Sequence, residues 1–401
     1  MKSNSTARVA VKESKGLFTI ACGQIASALK FYTPVSAVFL ISRGLNYSEI
    51  FTLESVLLFS ILLLEVPSGV WSDKVDRKVP IVLGFALSAV SNIIYALGQG
   101  FAWYAISYCI SGFSIALLSG IFEAYVYESL GKDADKLATG VFGFYGSLEL
   151  IGGVLASLCG SYLAHLNIAF PAYATAIASF IGFLLMVRLP SIPVSEREHG
   201  TIKSSFLKNL TRGARVLIST PVLAFVSITS SASFVLFNAV YTLNQPLYEH
   251  TNLPMSYWGL LSSVALILAA IYSYFSDKIE SYLGRSKALF LAFIIGAAGF
   301  ALMAVPSSIV VAIGFLLAVV GMNGRGPITS AVANSLIPSD YRSTVLNIAS
   351  SLGSLIGMAS NPIIGWSADR NVAITTLGIA GILVLIALMW LSIAIKYMKN
   401  T

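Results

Sequence analysis

The chain has 401 residues, of which 56% are hydrophobic and only 11% are charged. Soluble proteins carry about 25% charged residues, so this composition excludes an ordinary water-soluble protein and indicates a membrane protein. The formal net charge of +7 does not indicate a nucleic-acid partner, because the basic residues lie in short segments between apolar runs, which is a signal of membrane topology.

Apolar runs of membrane-spanning length follow one another along the chain. A helix needs about 20 such residues to cross a hydrocarbon core of about 30 Å. The first run, 17–41, follows a polar and basic stretch and is too long for the core of a signal peptide, so we predict a retained span. Twelve spans are predicted in all, at 17–41, 48–71, 80–98, 101–128, 138–164, 168–189, 215–243, 256–276, 286–304, 307–335, 343–366 and 373–396.

One long polar segment divides these spans into two groups of six. We predict an N-terminal six-helix bundle at 1–189, a cytosolic linker at 190–213 and a C-terminal six-helix bundle at 214–401. The expected fold class is an all-α polytopic membrane protein with twelve transmembrane helices.

The basic residues orient the spans. If the N-terminus is cytosolic, 21 of the 25 Lys and Arg residues lie in cytosolic segments, and only Arg43 and Arg370 lie in outer loops. Because Lys and Arg accumulate on the cytosolic side of membrane proteins, we predict that both termini are cytosolic. His165 and His250 then face outwards.

Neither a metal site nor a cofactor is expected. Cys22, Cys109 and Cys159 lie inside apolar runs, and no pair has metal-ligand spacing. The sequence contains no Gly-rich phosphate loop that would bind ATP. Active transport would therefore draw on an ion gradient.

The segment after the second span reads Gly69-Val70-Trp71-Ser72-Asp73-Lys74-Val75-Asp76-Arg77-Lys78. It resembles the major facilitator signature, which has a Gly, an Asp four residues later and a basic cluster. In that family the Asp lies against the N-terminal end of the eleventh helix, where free N–H groups favour an anion, and closes the cytosolic side. The resemblance implies a conformational gate formed by Glu65, Gly69, Asp73, Arg77 and Lys78. Asp76 replaces the second Gly of the family pattern.

The second half repeats this pattern. Ser276-Asp277-Lys278 and Gly284-Arg285-Ser286-Lys287 follow the eighth span, and Asp277 holds the place of Asp73, as internal repeats require. Asp277 and Arg285 are therefore assigned to the gate as well. The fold that the resemblance implies is two pseudo-symmetric six-helix bundles working by alternating access.

Four further segments resemble a bacterial subgroup of drug and siderophore exporters: Phe31-Tyr32-Thr33-Pro34, Glu65-Val66-Pro67-Ser68-Gly69, Glu123-Ala124-Tyr125-Val126-Tyr127-Glu128-Ser129-Leu130 and Tyr341-Arg342-Ser343-Thr344-Val345-Leu346. This resemblance implies a bacterial inner (cytoplasmic) membrane protein. One position departs from proton-coupled drug antiporters, which usually carry Gly-Pro before the Gly-Gly pair of the fifth helix. Here Leu148-Glu149 precedes Gly152-Gly153.

Ionisable residues inside membrane spans are costly and therefore candidates for function. At a rise of about 1.5 Å per residue, Lys30, Glu149 and Arg325 lie near one depth. The functional interpretation makes Lys30 and Arg325 receptors for an anion, because guanidinium and ammonium groups bind carboxylates, and makes Glu149 a proton carrier. The alternative is that Glu149 forms a purely structural ion pair with Lys30 or with Arg325.

Other charged and polar residues complete the candidate site. Glu123 is assigned to proton coupling or gating, and Glu54 is interpreted as a surface charge. In the family's fold, the first, fourth, seventh and tenth helices line the central cavity, and each has polar side chains. Those assigned to substrate binding are Tyr32, Asn238 and Asn323, although each could instead bond a neighbouring helix.

Three functions are compatible with these observations. The first is proton-coupled export of an amphipathic or anionic small molecule that is drug-like, peptide-like or siderophore-like. The second is proton-coupled uptake of an organic anion, and the third is a membrane receptor that does not transport. An enzyme is not expected, because no nucleophile, base and orienting group converge. The expected partners are a small-molecule substrate, protons and the lipid bilayer, and the protein is expected to be a monomer.

Overall fold

A computed structural model describes residues 2–192, 219–337 and 342–397. All regular secondary structure in these ranges is helical. Up to residue 192 the α-helices are α1 (Lys2–Glu13), α2 (Lys15–Ala28), α3 (Ser36–Ser42), α4 (Tyr47–Ser72), α5 (Lys78–Leu97), α6 (Gly100–Leu118), α7 (Ile121–Leu130), α8 (Ala134–Leu166) and α9 (Phe170–Val187). Short 3-10 turns occupy Thr33–Val35 and Gly131–Asp133.

After the linker region the α-helices are α10 (Pro221–His250), α11 (Trp258–Tyr274), α12 (Ser276–Leu283), α13 (Arg285–Met303), α14 (Ser308–Gly324), α15 (Gly326–Leu336), α16 (Arg342–Arg370) and α17 (Val372–Tyr397). A 3-10 turn at Met255–Tyr257 precedes α11. Segment 193–218, which contains most of the predicted linker, and residues 338–341, which include Tyr341, lie outside the described residues.

These helices account for the twelve predicted spans. The described residues contain eleven continuous stretches that are long and apolar enough to cross a membrane, and one of them, Gly100–Leu166, has 67 residues. Because about 20 residues cross a bilayer, this stretch contains two crossings, one in α6 with α7 and one in α8. The all-helical, twelve-span fold class is therefore confirmed.

Three details differ from the sequence expectations. The polar N-terminal stretch forms α1, whose Val11 is 2% exposed within the apolar core of the first half. The loop after the eighth span contains α12. The seventh span continues to His250, past its predicted end at 243, because Pro246 is accommodated inside the helix. His250 therefore ends α10.

The chain forms two compact units. One comprises Met1–Leu45 and Val56–Arg197, and the other comprises Asn46–Ser55 and Glu198–Thr401. The ten residues around the start of α4 are thus grouped with the second unit. The division predicted at 190–213 stays a prediction, because most of that segment is outside the described residues.

Each unit is held together by close helix packing. In the first, Ile20, Phe85 and Tyr125 belong to a buried apolar cluster to which α2, α5 and α7 contribute. In the second, α13 and α14 meet at glycines: a Cβ on Gly299 would lie 2.3 Å from the amide nitrogen of Ala318. Small residues let membrane helices approach this closely, so these glycines fix the position of α14.

Candidate functional site

Within the ranges that the structure describes, three of the spans are interrupted near their middle. The first span is interrupted between α2 and α3, the fourth between α6 and α7, and the tenth between α14 and α15. Interrupted helices in transporters leave backbone groups free to bind ions and substrates. Each interruption therefore marks a candidate binding region within its own unit.

The first interruption surrounds Lys30. Helix α2 ends at Ala28, and the Lys30 amide then donates a bent bond to the Ala28 carbonyl at 2.8 Å. The Lys30 carbonyl accepts from the amide of Thr33 at 3.2 Å and from its hydroxyl at 3.0 Å. Pro34 fixes the start of the following turn. Lys30 itself is exposed.

Helix α8 packs directly against this interruption. A Cβ on Gly152 would lie 2.8 Å from the Cβ of Ala28, and one on Gly160 would lie 1.9 Å from the Phe31 carbonyl oxygen. Glu149 is one turn before Gly152 on the same helix and is exposed. Within the described residues neither Lys30 nor Glu149 forms an ion pair, so the structural Lys30–Glu149 pair is not formed.

An aromatic cluster includes Tyr32, which follows Lys30 by two residues. The Tyr32 ring stacks on Tyr95 with centroids 4.6 Å apart, and Tyr95 also contacts Phe39, Tyr104 and Tyr108 at 5.3–6.4 Å. Tyr95 and Tyr104 are buried, whereas Tyr32 and Tyr108 are half-buried. The first unit therefore contains two half-buried aromatic rings in this cluster, and one of them, Tyr32, lies two residues after the exposed Lys30. The sequence indicated Tyr32 but not Tyr108.

The interruption of the fourth span depends on one glycine. Gly120 has φ +73°, in the left-handed region that other residues rarely adopt. Helix α7 starts at the next residue, and Glu123 lies exposed in its first turn. A carboxylate is stabilised there by the unpaired N–H groups of the helix start.

The third interruption surrounds Arg325, which separates two glycines between α14 and α15. Only 6% of the Arg325 surface is exposed. Its guanidinium lies 5.8 Å from the Phe293 ring centroid and donates from Nη2 to the Ser230 carbonyl at 3.4 Å. Its Nε has no hydrogen-bond partner among the described residues, and no acidic group there pairs with it. Arg325 is thus a buried cation without a counter-ion in its described surroundings.

The two candidate asparagines lie on these same elements of the second unit. Asn238 is exposed on α10, and Asn323 is half-buried two residues before Arg325. The Asn323 carbonyl accepts the amide of Arg325. These contacts leave the substrate-binding roles of Asn238 and Asn323 as a prediction.

The segment after α4 forms a compact ionic cluster. The buried Arg77 guanidinium donates to Asp73 at 3.1 Å, to Glu128 at 3.2 Å and to the Ser72 carbonyl at 3.0 Å. Asp73 remains 65% exposed, so it is available for a further contact. The sequence did not indicate a role for Glu128, although it lies within the acidic motif at the end of α7.

Asp76 has a separate role in this segment. Its carboxylate accepts from the amides of Lys78 at 2.8 Å and Ile192 at 3.4 Å, and from the Ser191 hydroxyl. Partial burial raises the pKa of Asp76, but these hydrogen bonds and the Lys78 charge outweigh burial and lower it below its usual value. The residue that replaces the family's second glycine thus accepts the first amide of α5 and binds the segment after α9.

Gly69 and Glu65 precede this cluster on α4. A Cβ on Gly69 would meet no atom within 4 Å among the described residues. Glu65 is half-buried, and its carbonyl accepts the Ser68 hydroxyl at 3.2 Å. Gly69 therefore has no close helix neighbour among the described residues.

The corresponding segment of the second half is built differently. Asp277 is exposed at the start of α12, and Arg285 pairs with Glu280 at 2.5 Å. Among the described residues Asp277 has no ion pair, so this segment does not repeat the Asp73–Arg77–Glu128 arrangement. No group of three or more His, Cys, Asp or Glu within the described ranges could hold a metal ion.

Twelve apolar spans, interruptions with a charged residue at or near each, and an ionic cluster at one end of α4 are the features of a polytopic membrane transporter. The model of the Major Facilitator Superfamily matches residues 20–358. The chain belongs to this superfamily. Its family and its structural neighbours are transporters rather than enzymes, and its substrate is a small molecule.

Two curated relatives illustrate the similarity. An uncharacterized MFS-type transporter, YxaM of Bacillus subtilis (strain 168), is 23% identical over 354 residues, which cover 84% of this chain and 85% of the relative. The quinolone resistance protein NorA of Staphylococcus aureus (strain MSSA476) is 23% identical over 250 residues, which is 62% of each chain. That second alignment spans less than two thirds of NorA.

Solved structures share the fold. The nucleoside transporter NupG has a TM-score of 0.77 at 16% identity, covering 93% of this chain and 97% of NupG. A D-xylose-proton symporter has a TM-score of 0.69 at 15% identity, covering 94% and 97%. At these identities the likeness shows the fold alone.

Proposed function

We propose that this chain is a proton-coupled exporter of an amphipathic or anionic small molecule, working by alternating access in the bacterial inner membrane. The observation that carries the proposal is the exposed Lys30 at the interruption of the first span, two residues before the half-buried Tyr32, with exposed Glu149 on the helix that packs against the same interruption. Such a surface offers an ammonium group to an anion and rings to an apolar body. The relation to a quinolone resistance protein supports export of drug-like compounds.

The roles of the other residues follow from their places. We assign cargo contacts to Lys30, Tyr32, Asn238 and Asn323. Arg325 is assigned to the anionic group of the cargo, because an anion would satisfy its unpartnered Nε, and a buried unpaired charge is costly. Glu149 carries the coupling proton, and Glu123, at the start of α7, is the second carboxylate of the proton path.

The gate consists of Glu65, Gly69, Asp73, Arg77 and Lys78 in the first half, with Asp277 and Arg285 in the second. Asp73 would contact the start of the eleventh span when the cytosolic side closes, while Arg77 holds it in place. We propose six-helix bundles at 1–189 and 214–401, joined by a cytosolic linker at 190–213, in a monomer with both termini cytosolic.

Transport in proteoliposomes tests the coupling. Purified protein is reconstituted with a fluorescent quinolone as the probe, with and without an imposed pH gradient. We expect accumulation of the probe to follow the gradient in the wild type. Glu149→Gln should still exchange the probe across the membrane but should not accumulate it, because Gln cannot release a proton. Glu54→Gln, another carboxylate change within a span, is the matched control.

Two results would contradict the proposal. One is wild-type transport that is indifferent to the pH gradient, and the other is a Glu149→Gln protein still driven by it. Accumulation of the probe on the side that protons enter would favour the second candidate function, uptake by proton symport. A D-xylose-proton symporter is among the proteins that share the fold.

A further inference from the structure

The end of α16 repeats the signature of the end of α4. The last residues of α4 and the two that follow it read Gly69-Val70-Trp71-Ser72-Asp73-Lys74, and α16 ends in Gly365-Trp366-Ser367-Ala368-Asp369-Arg370. Both segments place an Asp four residues after a Gly and a basic residue directly after the Asp. The two helices are the second and the eleventh spans.

Asp369 binds the first residues of α4. One carboxylate oxygen accepts the amide of Tyr47 at 2.7 Å, and the other accepts the amide of Ser48 at 3.0 Å and the Ser48 hydroxyl. These amides belong to the first turn, where a helix has no acceptors of its own. The helix start also favours a negative charge. Asp369 therefore supplies from another helix what a capping residue normally supplies locally.

Close packing accompanies these hydrogen bonds. A Cβ on Gly365 would lie 2.7 Å from the Tyr47 carbonyl oxygen and 2.8 Å from the Ser48 Cα. Two turns further along α4, the Ser55 hydroxyl donates to the Met358 carbonyl at 3.2 Å. The start of α4 thus lies along the last turns of α16, and this packing places Asn46–Ser55 in the second unit.

Helix α4 is continuous from Tyr47 to Ser72, yet it is shared between two compact units. Its first residues belong to the second unit and those from Val56 onward to the first. A cycle that moves one unit against the other must therefore bend α4 or separate its start from α16. The contacts just described are easier to separate than a helix is to break, because each is a single hydrogen bond or a van der Waals contact.

We propose that Asp369 and Gly365 form a releasable clasp on the start of α4, acting on the opposite membrane face from Asp73. The clasp holds the outer side shut while the cytosolic side is open, and it separates when the outer side opens. Asp73 would reach the start of the eleventh span in the other half of the cycle. This inference rests on the proposed alternating-access function.

Asp369→Asn and Gly365→Ala are expected to weaken the clasp in different ways. The first removes the charge and one acceptor, and the second inserts a methyl group where no space exists. Their controls are Glu49→Gln and Gly378→Ala. Glu49 lies in the same first turn but bonds only Asn46 among the described residues, and a Cβ on Gly378 would meet no atom within 4 Å there.

Two cargo-free measurements test the proposal on the full chain. Hydrogen exchange of the peptide containing Tyr47 and Ser48 should become at least about tenfold faster in both clasp variants, because bonds to charged acceptors are strong. In a protein whose native cysteines are Ser, an impermeant maleimide applied to intact cells should label Lys30→Cys several-fold faster when the clasp is weakened. Neither control should change either rate.

The outcomes separate this proposal from the proposed function. Unchanged exchange in both clasp variants would show that Asp369 does not hold α4, and it would overturn the proposal. Faster exchange without faster labelling at position 30 would reduce Asp369 to a helix cap and would also overturn it. A wild type that fails to move the quinolone counts against the exporter function alone, because neither clasp measurement uses cargo.

Discussion

The buried guanidinium of Arg325 makes one hydrogen bond and one contact with an aromatic ring among the described residues. Replacing a buried charged residue by an apolar one of similar size is often neutral or stabilising. We therefore expect Arg325→Met to keep the thermal unfolding temperature at or above that of the wild type while abolishing transport of an anionic probe. Reduced stability with unimpaired transport per folded molecule would show that Arg325 serves the fold and not the cargo.

The ionic cluster after α4 predicts two different responses to neutralisation. Arg77 is buried and has three acceptors, so Arg77→Gln should lower the free energy of unfolding by about 1.5–3 kcal/mol. Asp73 is largely exposed, so Asp73→Asn should leave stability within about 1 kcal/mol but favour the inward-facing state. Denaturation curves measure the first effect, and spin-label distances between the two halves measure the second. Equal destabilisation by both variants would contradict this division of roles.

At single positions, the sequence predicted which residues are charged within spans but not which residues they contact. The charged positions inside spans were visible in the sequence, because an ionisable group in an apolar run stands out. Their partners were not visible: Arg77 meets Glu128 across 51 positions, and Asp369 meets Tyr47 across 322. Spacing along a chain does not reveal such contacts, since they depend on how helices pack.

The helices themselves followed from length and apolarity, but their interruptions did not. Pro34 and Pro327 lie at the interruptions of the first and tenth spans, and a proline disfavours a continuous helix. The interruption at Gly120 carried no proline, and only its φ of +73° explains it. Helices α1 and α12 were missed because they are short and polar, and apolar length was the signal used for prediction.

The packing of α8 on the first interruption predicts a strong effect from one methyl group. Gly160→Ala would place a Cβ 1.9 Å from the Phe31 carbonyl oxygen, so the helices must shift. Overpacking of this kind costs about 1–3 kcal/mol, and the shift should also reduce transport by moving Lys30. Gly143→Ala is the control on the same helix, because its Cβ would meet no described atom within 4 Å. Thermal unfolding and probe transport are measured for both variants.

Equal behaviour of the two glycine variants would contradict the close contact between α8 and the first interruption. If Gly160→Ala loses stability but transports normally, the packing at the interruption stabilises the fold but does not contribute to cargo binding.

At the scale of the whole molecule, the sequence predicted twelve spans correctly because the bilayer sets a single length for each of them. It did not predict that the start of the second span packs on α16, which groups Asn46–Ser55 with the second unit. Apolar length identifies a helix but contains no information about the helix against which each turn packs.

Membrane orientation follows from the basic residues and can be measured directly. We predict that Arg43, His165, His250 and Arg370 face outwards, and that segment 190–212 and both termini face the cytosol, because 21 of the 25 Lys and Arg residues then lie inside. Single cysteines at these positions, in a protein without its native cysteines, are exposed to an impermeant maleimide in intact cells and in inverted vesicles. Cysteines at 43 and 370 should react in intact cells, and one at 200 only in inverted vesicles. Reaction at 200 in intact cells would reverse the orientation. It would also move the Asp369 clasp to the cytosolic face and Asp73 to the outer face, and so exchange the two proposed gates.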